Sequence, residues 1–542
     1  MNRKHVLVGP PLSSPIPNEN LAQQIYENFR QRRRDEIAFK NDITDQWVSV
    51  GKVLDDSARI AISLTEMGLS SNNLIAICSN NHINYPSVIF GALAAGVPLA
   101  LMSPVYTEYE LESLFNIIEP DVVFCSEMNM ETLVKLKPKT KTLKKVVVID
   151  TEEPVPGVED LDAFISPSIS SKFSVADFPI RKVNAKDQLA FILFSSGTTG
   201  LPKAVALTHY GVSGTLIGLN HPDLVLPIEP DVGLGVLPFF HIYGLYVILQ
   251  TIIKKKPLMI LEHFNPFDYL RCIEKYKIDV VIGVPMLIQF LAKSPVVDDY
   301  DLSCVKEATC ASAPIGEDTI QELKDRLKLQ NVRQAYGCTE AHMLVTISPA
   351  VGARPGSVGK VAPGMKMFIR DVKTGESLPA FKEGEICSIS DMVMKGYYRN
   401  DAATKETFTE DGWLKSGDIG YYDEDGQLYI VDRMKELIKY KGFQVAPAEL
   451  EAVLMKNKKI ADAGVIGKPD KVAGEVPVAF VVKQEDVDLT ETEVKNYVAG
   501  FLTQRKHLHE VYFVDEIPRT RSGKIMRREL KKILENMMKS KL

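Results

Sequence analysis

The stretch Ser195-Ser196-Gly197-Thr198-Thr199-Gly200-Leu201-Pro202-Lys203 gathers four hydroxyls, two glycines and a lysine behind the apolar run Leu189 to Phe194. Glycines let a backbone approach phosphate oxygens closely, and hydroxyl and ammonium groups add donors. The stretch reads as a phosphate-binding loop. It is not a Walker loop, because no glycine precedes Lys203 and no Ser or Thr follows it. A second chemical cluster is Pro238-Phe239-Phe240-His241-Ile242-Tyr243, a single histidine among aromatics. A third is Lys524 behind Ser522-Gly523, in a basic tail with Arg527, Arg528, Lys531 and Lys532. Taken alone, the second could be a packed core histidine and the third a solvated lysine.

Further motifs stand in a fixed order. They are Tyr336-Gly337-Cys338-Thr339-Glu340, Ser416-Gly417-Asp418, Tyr429-Ile430-Val431-Asp432-Arg433, Lys439-Tyr440-Lys441-Gly442 and Pro518-Arg519-Thr520-Arg521-Ser522-Gly523-Lys524. With the Ser195–Lys203 loop, this order resembles the acyl-adenylate-forming superfamily of acyl-CoA synthetases, 4-coumarate–CoA ligases and beetle luciferases. The resemblance spans nearly the whole chain. It implies an ATP-dependent carboxylic acid–CoA ligase, with ATP, Mg²⁺ and coenzyme A as cofactors and co-substrates.

Such an enzyme makes an acyl-AMP by attack of a carboxylate on the α-phosphate, then passes the acyl group to a thiol. Phosphoryl transfer of this kind rests on positioning and electrostatic stabilisation. The resemblance implies that Ser195, Ser196, Gly197, Thr198, Thr199, Gly200 and Lys203 meet the β- and γ-phosphates. Thr339 meets the α-phosphate, and Glu340 with Thr199 holds Mg²⁺, a cation suited to oxygen ligands. Asp418 and Arg433 hold the ribose and Tyr336 stacks on adenine, with Gln334, Gly337, Ala313 and Pro314 completing the nucleotide site. Lys524 bridges the carboxylate and the α-phosphate. His241 gates the carboxylate, and Tyr243, Ala311, Ser312, Met343 and Val345 wall the acyl pocket. Lys435 is the hinge about which a small domain turns, so that Lys439 acts in thioester formation and Lys441, Gly442 and Gln444 meet coenzyme A.

The sequence departs from the beetle luciferases at Phe239-Phe240-His241-Ile242-Tyr243-Gly244, which is closer to the coumarate ligase form. It departs again at Ala311-Ser312, at Met343, and near Thr215, where luciferases carry an arginine. The leading expectation is a medium- or long-chain fatty acid; the alternatives are an adenylated luciferin or an aromatic acid of the 4-coumarate type. A non-catalytic nucleotide binder is disfavoured, because Lys524, Glu340 and the loop hydroxyls are all present. A nicotinamide dehydrogenase is disfavoured by the lack of G-x-G-x-x-G after an early strand.

The elements that must position these groups are legible in outline. The chain has 542 residues, too many for one ordinary core. Short apolar runs alternate with helical patterns, as at Leu74 to Cys78, Ser87 to Ala95, Val122 to Phe124, Lys145 to Ile149 and Val280 to Ile282. That alternation predicts an α/β fold with parallel sheets covered by helices. A large N-terminal domain of mixed and parallel sheets is expected over 1–434, with a small mobile α+β domain over 435–542. In the latter, helices are expected near Pro447 to Lys456 and from Thr490, with strands at Ala463 to Ile466 and Val476 to Val482.

A net charge of −6 gives no basic field for nucleic acid. The Arg32-Arg33-Arg34 run reads as a solvated face. No run is long enough to span a bilayer. The seven cysteines show no CxxC or metal-ligand spacing, so reduced intracellular thiols are expected. The chain closes on Ser540-Lys541-Leu542, which reads as an address for the peroxisomal import receptor, so peroxisomal localisation is expected.

Overall fold

The eight-stranded sheet at the centre of the large domain is built from the apolar runs seen in the sequence. In a computed structural model, which describes residues 3–151, 158–166, 178–195, 202–224, 231–441, 443–470, 473–520 and 523–539, strands Leu189–Ser195, Leu99–Met102, Ile75–Cys78, Val122–Cys125 and Lys145–Val148 lie side by side in parallel. The strands from Leu99 to Met102, Ile75 to Cys78 and Val122 to Cys125 are buried along their whole length. Burial on both faces explains why they read as unbroken apolar runs rather than alternating ones. The helix Tyr85–Ala95, buried at every position, covers the sheet and packs on the helix Val50–Glu66. The strand Lys203–Thr208 turns back antiparallel to Leu189–Ser195. Lys203 is therefore the first residue of a strand, not part of the loop before it.

A second sheet runs Val280–Gly283, Glu307–Cys310 and Asn331–Tyr336 in parallel, then adds Thr346–Ile347 and Lys360–Val361 antiparallel. A third sheet is antiparallel and includes Leu414–Tyr422 and Leu428–Arg433. Its register sets Asp418 opposite Arg433. Parallel strands present their C-terminal ends to a common crevice, the usual ligand face of α/β sheets. Ser195, Cys310 and Tyr336 are the last residues of three of them.

The core of the large domain ends in sequence at Leu428. The small domain has its own core, built from residues such as Ile438, Leu450, Val465, Val481 and Val494. Its helices Pro447–Met455 and Glu491–Phe501 match the predicted positions. Thr490 and Glu493 form a reciprocal capping box on the second helix. The strands Ile460–Asp470 and Gly474–Lys483 are longer than their apolar runs, because their ends pair across the hairpin beyond the buried part. Between the two cores, Ile419, Leu437 and Ala446 form a separate apolar contact.

Arg33 and Arg34 are exposed and pair with Asp35 and Asp55, as a solvated face should, but the Arg32 side chain of the same run is nearly buried and donates to Glu36 and to Ile37 O. All seven cysteines are free thiols. Among the described residues, no helix is long and apolar enough to cross a membrane. The expected phosphate-loop residues Ser196, Gly197, Thr198, Thr199 and Gly200 lie outside the described residues, as do Gly442, Ser540, Lys541 and Leu542.

Candidate active site between the two domains

A cleft of about 2390 Å³ runs between the domains and along the C-terminal ends of the parallel strands. Ser195, Lys203, His241, Tyr243, Ala311, Ser312, Ala313 and Pro314 line it from the large domain, with Gln334, Tyr336, Gly337, Thr339, Glu340, Met343, Asp418 and Arg433. Lys524 lines it from the small domain, and Lys435 sits at the junction.

The polar centre is built on Asp418, which is 7% exposed. Its Oδ2 accepts a hydrogen bond from the Tyr336 hydroxyl at 2.8 Å, and its Oδ1 lies 3.3 Å from Arg433 Nε. Gly417 precedes it at φ +74, a left-handed conformation that glycine adopts freely, and Asp418 N donates to Ser416 Oγ at 3.0 Å. Burial raises the Asp418 pKa, and Arg433 and the Tyr336 hydroxyl oppose that rise. Burial works against the Arg433 charge, but Asp418 and Glu436 outweigh it and hold Arg433 firmly protonated.

Lys524 reaches this centre from a tight hairpin. Thr520 N donates to Lys524 O at 2.8 Å, Lys524 N donates to Thr520 Oγ1 at 3.1 Å, and Met526 N closes onto Pro518 O. Arg519 ties the hairpin to the domain body through Asp462, with Nη2 to Oδ1 at 2.7 Å. Burial lowers the Lys524 pKa and nearby Arg433 adds to that, while Asp418, Cys338 and Glu340 pull the other way. The ammonium thus sits among charges of both signs, where added negative charge from a substrate would be met directly.

His241 caps the helix Ile242–Ile253, its Nδ1 accepting from Tyr243 N at 3.3 Å. Burial, reinforced by the Lys524 charge, takes its pKa down to about 3. The ring is neutral, and because Nδ1 accepts, its proton is on Nε2. His241 can therefore donate one hydrogen bond to a carboxylate oxygen near Lys524 without adding charge.

Gly337, Thr339 and Glu340 follow the strand Asn331–Tyr336 in a loop that doubles back on itself. Met343 N donates to Cys338 O at 2.9 Å, and His342 and Met343 are left-handed at φ +51 and +84. A Cβ on Gly337 would meet Met343 O at 1.7 Å, so this close approach demands glycine. Glu340 Oε1 accepts from the Tyr397 hydroxyl at 3.0 Å, and Lys203 Nζ lies 4.7 Å above the Tyr397 ring. Tyr397 thus couples Lys203 to Glu340; nothing in its local sequence marked it. Among the described residues, no three of His, Cys, Asp and Glu gather as a metal cage. Mg²⁺ commonly binds through one or two carboxylates plus substrate phosphates, and the single Glu340 carboxylate facing the cleft fits that donor set.

One expectation needs correction. Val345 does not line the cleft; it is 2% exposed and held in the core, with its N donating to Tyr336 O. The consecutive left-handed residues His342 and Met343 change the side-chain phase, so Leu344 and Ile347 line the cleft instead. Lys439 and Lys441, expected to act only after the small domain has turned, lie away from the cleft in this arrangement. They are exposed on the small domain, Lys439 with its N on Glu475 Oε2 and Lys441 with its ammonium 5.4 Å from the Tyr440 ring. Gln444 lies in the strand Phe443–Val445, paired with Ile438–Tyr440. Thr215 is buried in the helix His209–Leu219, with Oγ1 on Gly211 O, and does not line the cleft.

Sequence reasoning missed Gln250 and the Glu307–Arg333 pair, which also line the cleft. Glu307 Oε1 and Arg333 Nη1 are 3.5 Å apart and both side chains are almost fully buried. Burial lifts the Glu307 pKa to about 7, against the pull of Arg333. Gln250 could have been found as the residue two helical turns after Tyr243.

Residues 26–398 match the family model described as AMP-binding enzyme, and residues 449–524 match the AMP-binding enzyme C-terminal domain. Luciferin 4-monooxygenase of Photuris pensylvanica is 37% identical, over 100% of both chains. 4-Coumarate–CoA ligase 2 of Nicotiana tabacum is 36% identical, over 91% of this chain and 90% of its own. The crystal structure of ATP-bound MatB from Rhodopseudomonas palustris superposes with a TM-score of 0.83 at 26% identity, over 95% of this chain and 99% of the other.

Proposed function

Since the chain belongs to the AMP-binding, adenylate-forming enzyme family, we propose that it is an acid–coenzyme A ligase working in two steps, with residues 1–434 and 435–542 acting as two units. In the first step a carboxylate oxygen attacks the α-phosphorus of ATP, and pyrophosphate leaves. In the second the thiol sulfur of coenzyme A attacks the acyl carbonyl, and AMP leaves.

The observation that carries this reading is the meeting of Lys524 from the small domain with His241, Asp418 and Arg433 from the large one. His241 Nε2–H orients one carboxylate oxygen, and the Lys524 ammonium spans the carboxylate and α-phosphate as negative charge develops between them. Asp418 and Arg433, fixed by their strand register, hold the ribose. Tyr336, with its hydroxyl on Asp418, supplies a ring beside the adenine. Thr339 donates to the α-phosphate. Mg²⁺, held by Glu340 and the phosphates, would neutralise charge on the leaving pyrophosphate. Exposed Lys439 and Lys441 fit the second step, in which another face of the small domain meets coenzyme A.

The acid lies along the helix Ile242–Ile253, with Tyr243, Val247, Met343 and Leu344 as apolar walls. Such walls suit a substantial hydrocarbon body, and a medium- to long-chain acid is our assignment. The test is a panel of alkanoic and aromatic acids of graded length, with AMP, pyrophosphate and thioester all measured. Equal amounts of the three products support the reading. AMP and pyrophosphate without thioester from every acid, or ATP-dependent light from luciferin without thioester, would overturn it.

A further inference from the structure

The helix Ile242–Ile253 starts at His241, beside Lys524, and runs away from the reacting centre. Tyr243, Val247 and Gln250 recur at i, i+4 and i+7, and all three line the cleft. They therefore share one face. At 1.5 Å rise per residue, Gln250 lies about 10.5 Å along the axis beyond Tyr243. An acid whose carboxylate sits at His241 must carry its far end past this face.

Two polar atoms on that face are enclosed and have no hydrogen-bond partner: the Tyr243 hydroxyl and Gln250 Oε1. The Tyr246 hydroxyl, on the same helix, is likewise enclosed without a partner, but a hydroxyl can donate as well as accept, whereas Gln250 Oε1 can only accept. Other polar side chains lining the cleft are already engaged. Arg333 gives Nε and Nη2 to Ser348 O and Nη1 to Leu224 O and lies against Glu307, and Thr309 Oγ1 donates to Glu307. A plain hydrocarbon tail would strand Gln250 Oε1, an expensive arrangement for a buried acceptor. The missing partner must be a donor. A second carboxylate would face the Gln250 oxygen and the Glu307 side chain, and an ammonium would face Arg333 and Lys254. A neutral hydroxyl suits all of these neighbours.

We propose that the acid this enzyme takes is hydroxylated in its distal part, and that Gln250 selects it by accepting a hydrogen bond from that hydroxyl. This rests on the acid-activating role proposed above and goes beyond it. The hydroxyl can come from an ω-hydroxyalkyl chain or from a phenol, and matched pairs separate the two. One set is ω-hydroxyalkanoates against alkanoates of equal length; the other is 4-hydroxycinnamate against cinnamate.

Pyrophosphate release gives kcat/KM for each member in wild type, Gln250→Met and Gln250→Glu, with thioester measured in parallel. Wild type should favour the hydroxylated member of one set by about tenfold or more, because a site built around a polar partner rejects the analogue that lacks it. Gln250→Met, similar in length but without an acceptor, should erase that preference and raise the rate with the unsubstituted partner. Gln250→Glu, which keeps an acceptor, should retain the preference. Equal use of both members by wild type in both sets, or a Gln250→Met variant that slows both members equally, overturns the proposal. Pyrophosphate without thioester would instead refute the ligase reading and leave the hydroxyl preference to be read from the same data.

Discussion

Replacing Lys524 by alanine should separate the two half-reactions. The ammonium is a charge that the small domain brings into the cleft beside Asp418 and Arg433, and its hairpin is held by Thr520 and by Arg519 on Asp462. None of these anchors uses the Lys524 side chain, and the small-domain cores do not contain it. The variant should therefore fold and lose only the charge. An ammonium about 4 Å from the developing negative charge, at an effective dielectric of about 20, contributes about 4 kcal/mol. That corresponds to about 10³-fold in rate. Removing a single oxyanion-stabilising donor has effects of similar size. Thioester formation from supplied acyl-AMP needs no such charge at the phosphate, so it should stay within a few-fold of wild type. Lys439→Ala, at the exposed position of the strand Ile438–Tyr440, should show the opposite bias. The assay is pyrophosphate release from ATP and acid, beside thioester formation from synthetic acyl-AMP and coenzyme A. If each variant lost both half-reactions to the same extent while remaining folded, the assignment of Lys524 to the first step and Lys439 to the second would be wrong.

The same lysine predicts a pH dependence. Burial lowers its pKa below the ordinary lysine range, so its proton leaves earlier as pH rises, and adenylation should fall on the alkaline side below about pH 10.4. Lys524→Arg, whose charge persists, should abolish that alkaline limb in a pyrophosphate-release profile whatever its absolute rate. Asp418→Asn removes the carboxylate that pairs with Arg433 and accepts from Tyr336, and should raise the KM for ATP about tenfold or more with less effect on the KM for the acid. Deleting Ser540-Lys541-Leu542 should leave ligation intact and leave a fluorescently tagged protein in the cytosol; unchanged import into peroxisomes would refute the address.

Much of the proposed nucleotide side was legible as local geometry, because it is tied to backbone features that sequence reports. Glycine at 337 is forced by a carbonyl 1.7 Å from where a Cβ would stand, and glycine at 417 by a positive φ beside Asp418. The apolar runs before Ser195 and Tyr336 announce strands whose ends must face a crevice. The acid side was legible only in part. Val345 was misplaced because two left-handed residues before it break the alternation that a simple strand would keep. Tyr397 was invisible because its partners, Glu340 and Lys203, are distant in sequence and its neighbours carry no motif. Glu307 and Arg333 face each other only because two parallel strands are paired, Ala308 with Val332 and Thr309 with Arg333.

The asymmetry between the two halves bears on how substrate is set. In the proposed reading the nucleotide contacts are distributed over three strand ends, a hairpin and a cross-strand pair, so few of them can change without disturbing the others. In the same reading the acid meets mainly one helix face, where Tyr243, Val247 and Gln250 can each be replaced with little backbone consequence. Relatives named for luciferin and for 4-coumarate therefore match this chain about equally well over most of its length, since the residues that distinguish one acid from another are a small fraction of what such a comparison counts. Overall identity measures the adenylating frame. The acid must be read from the few side chains on that face, and there the buried, unpartnered oxygen of Gln250 is the most discriminating feature.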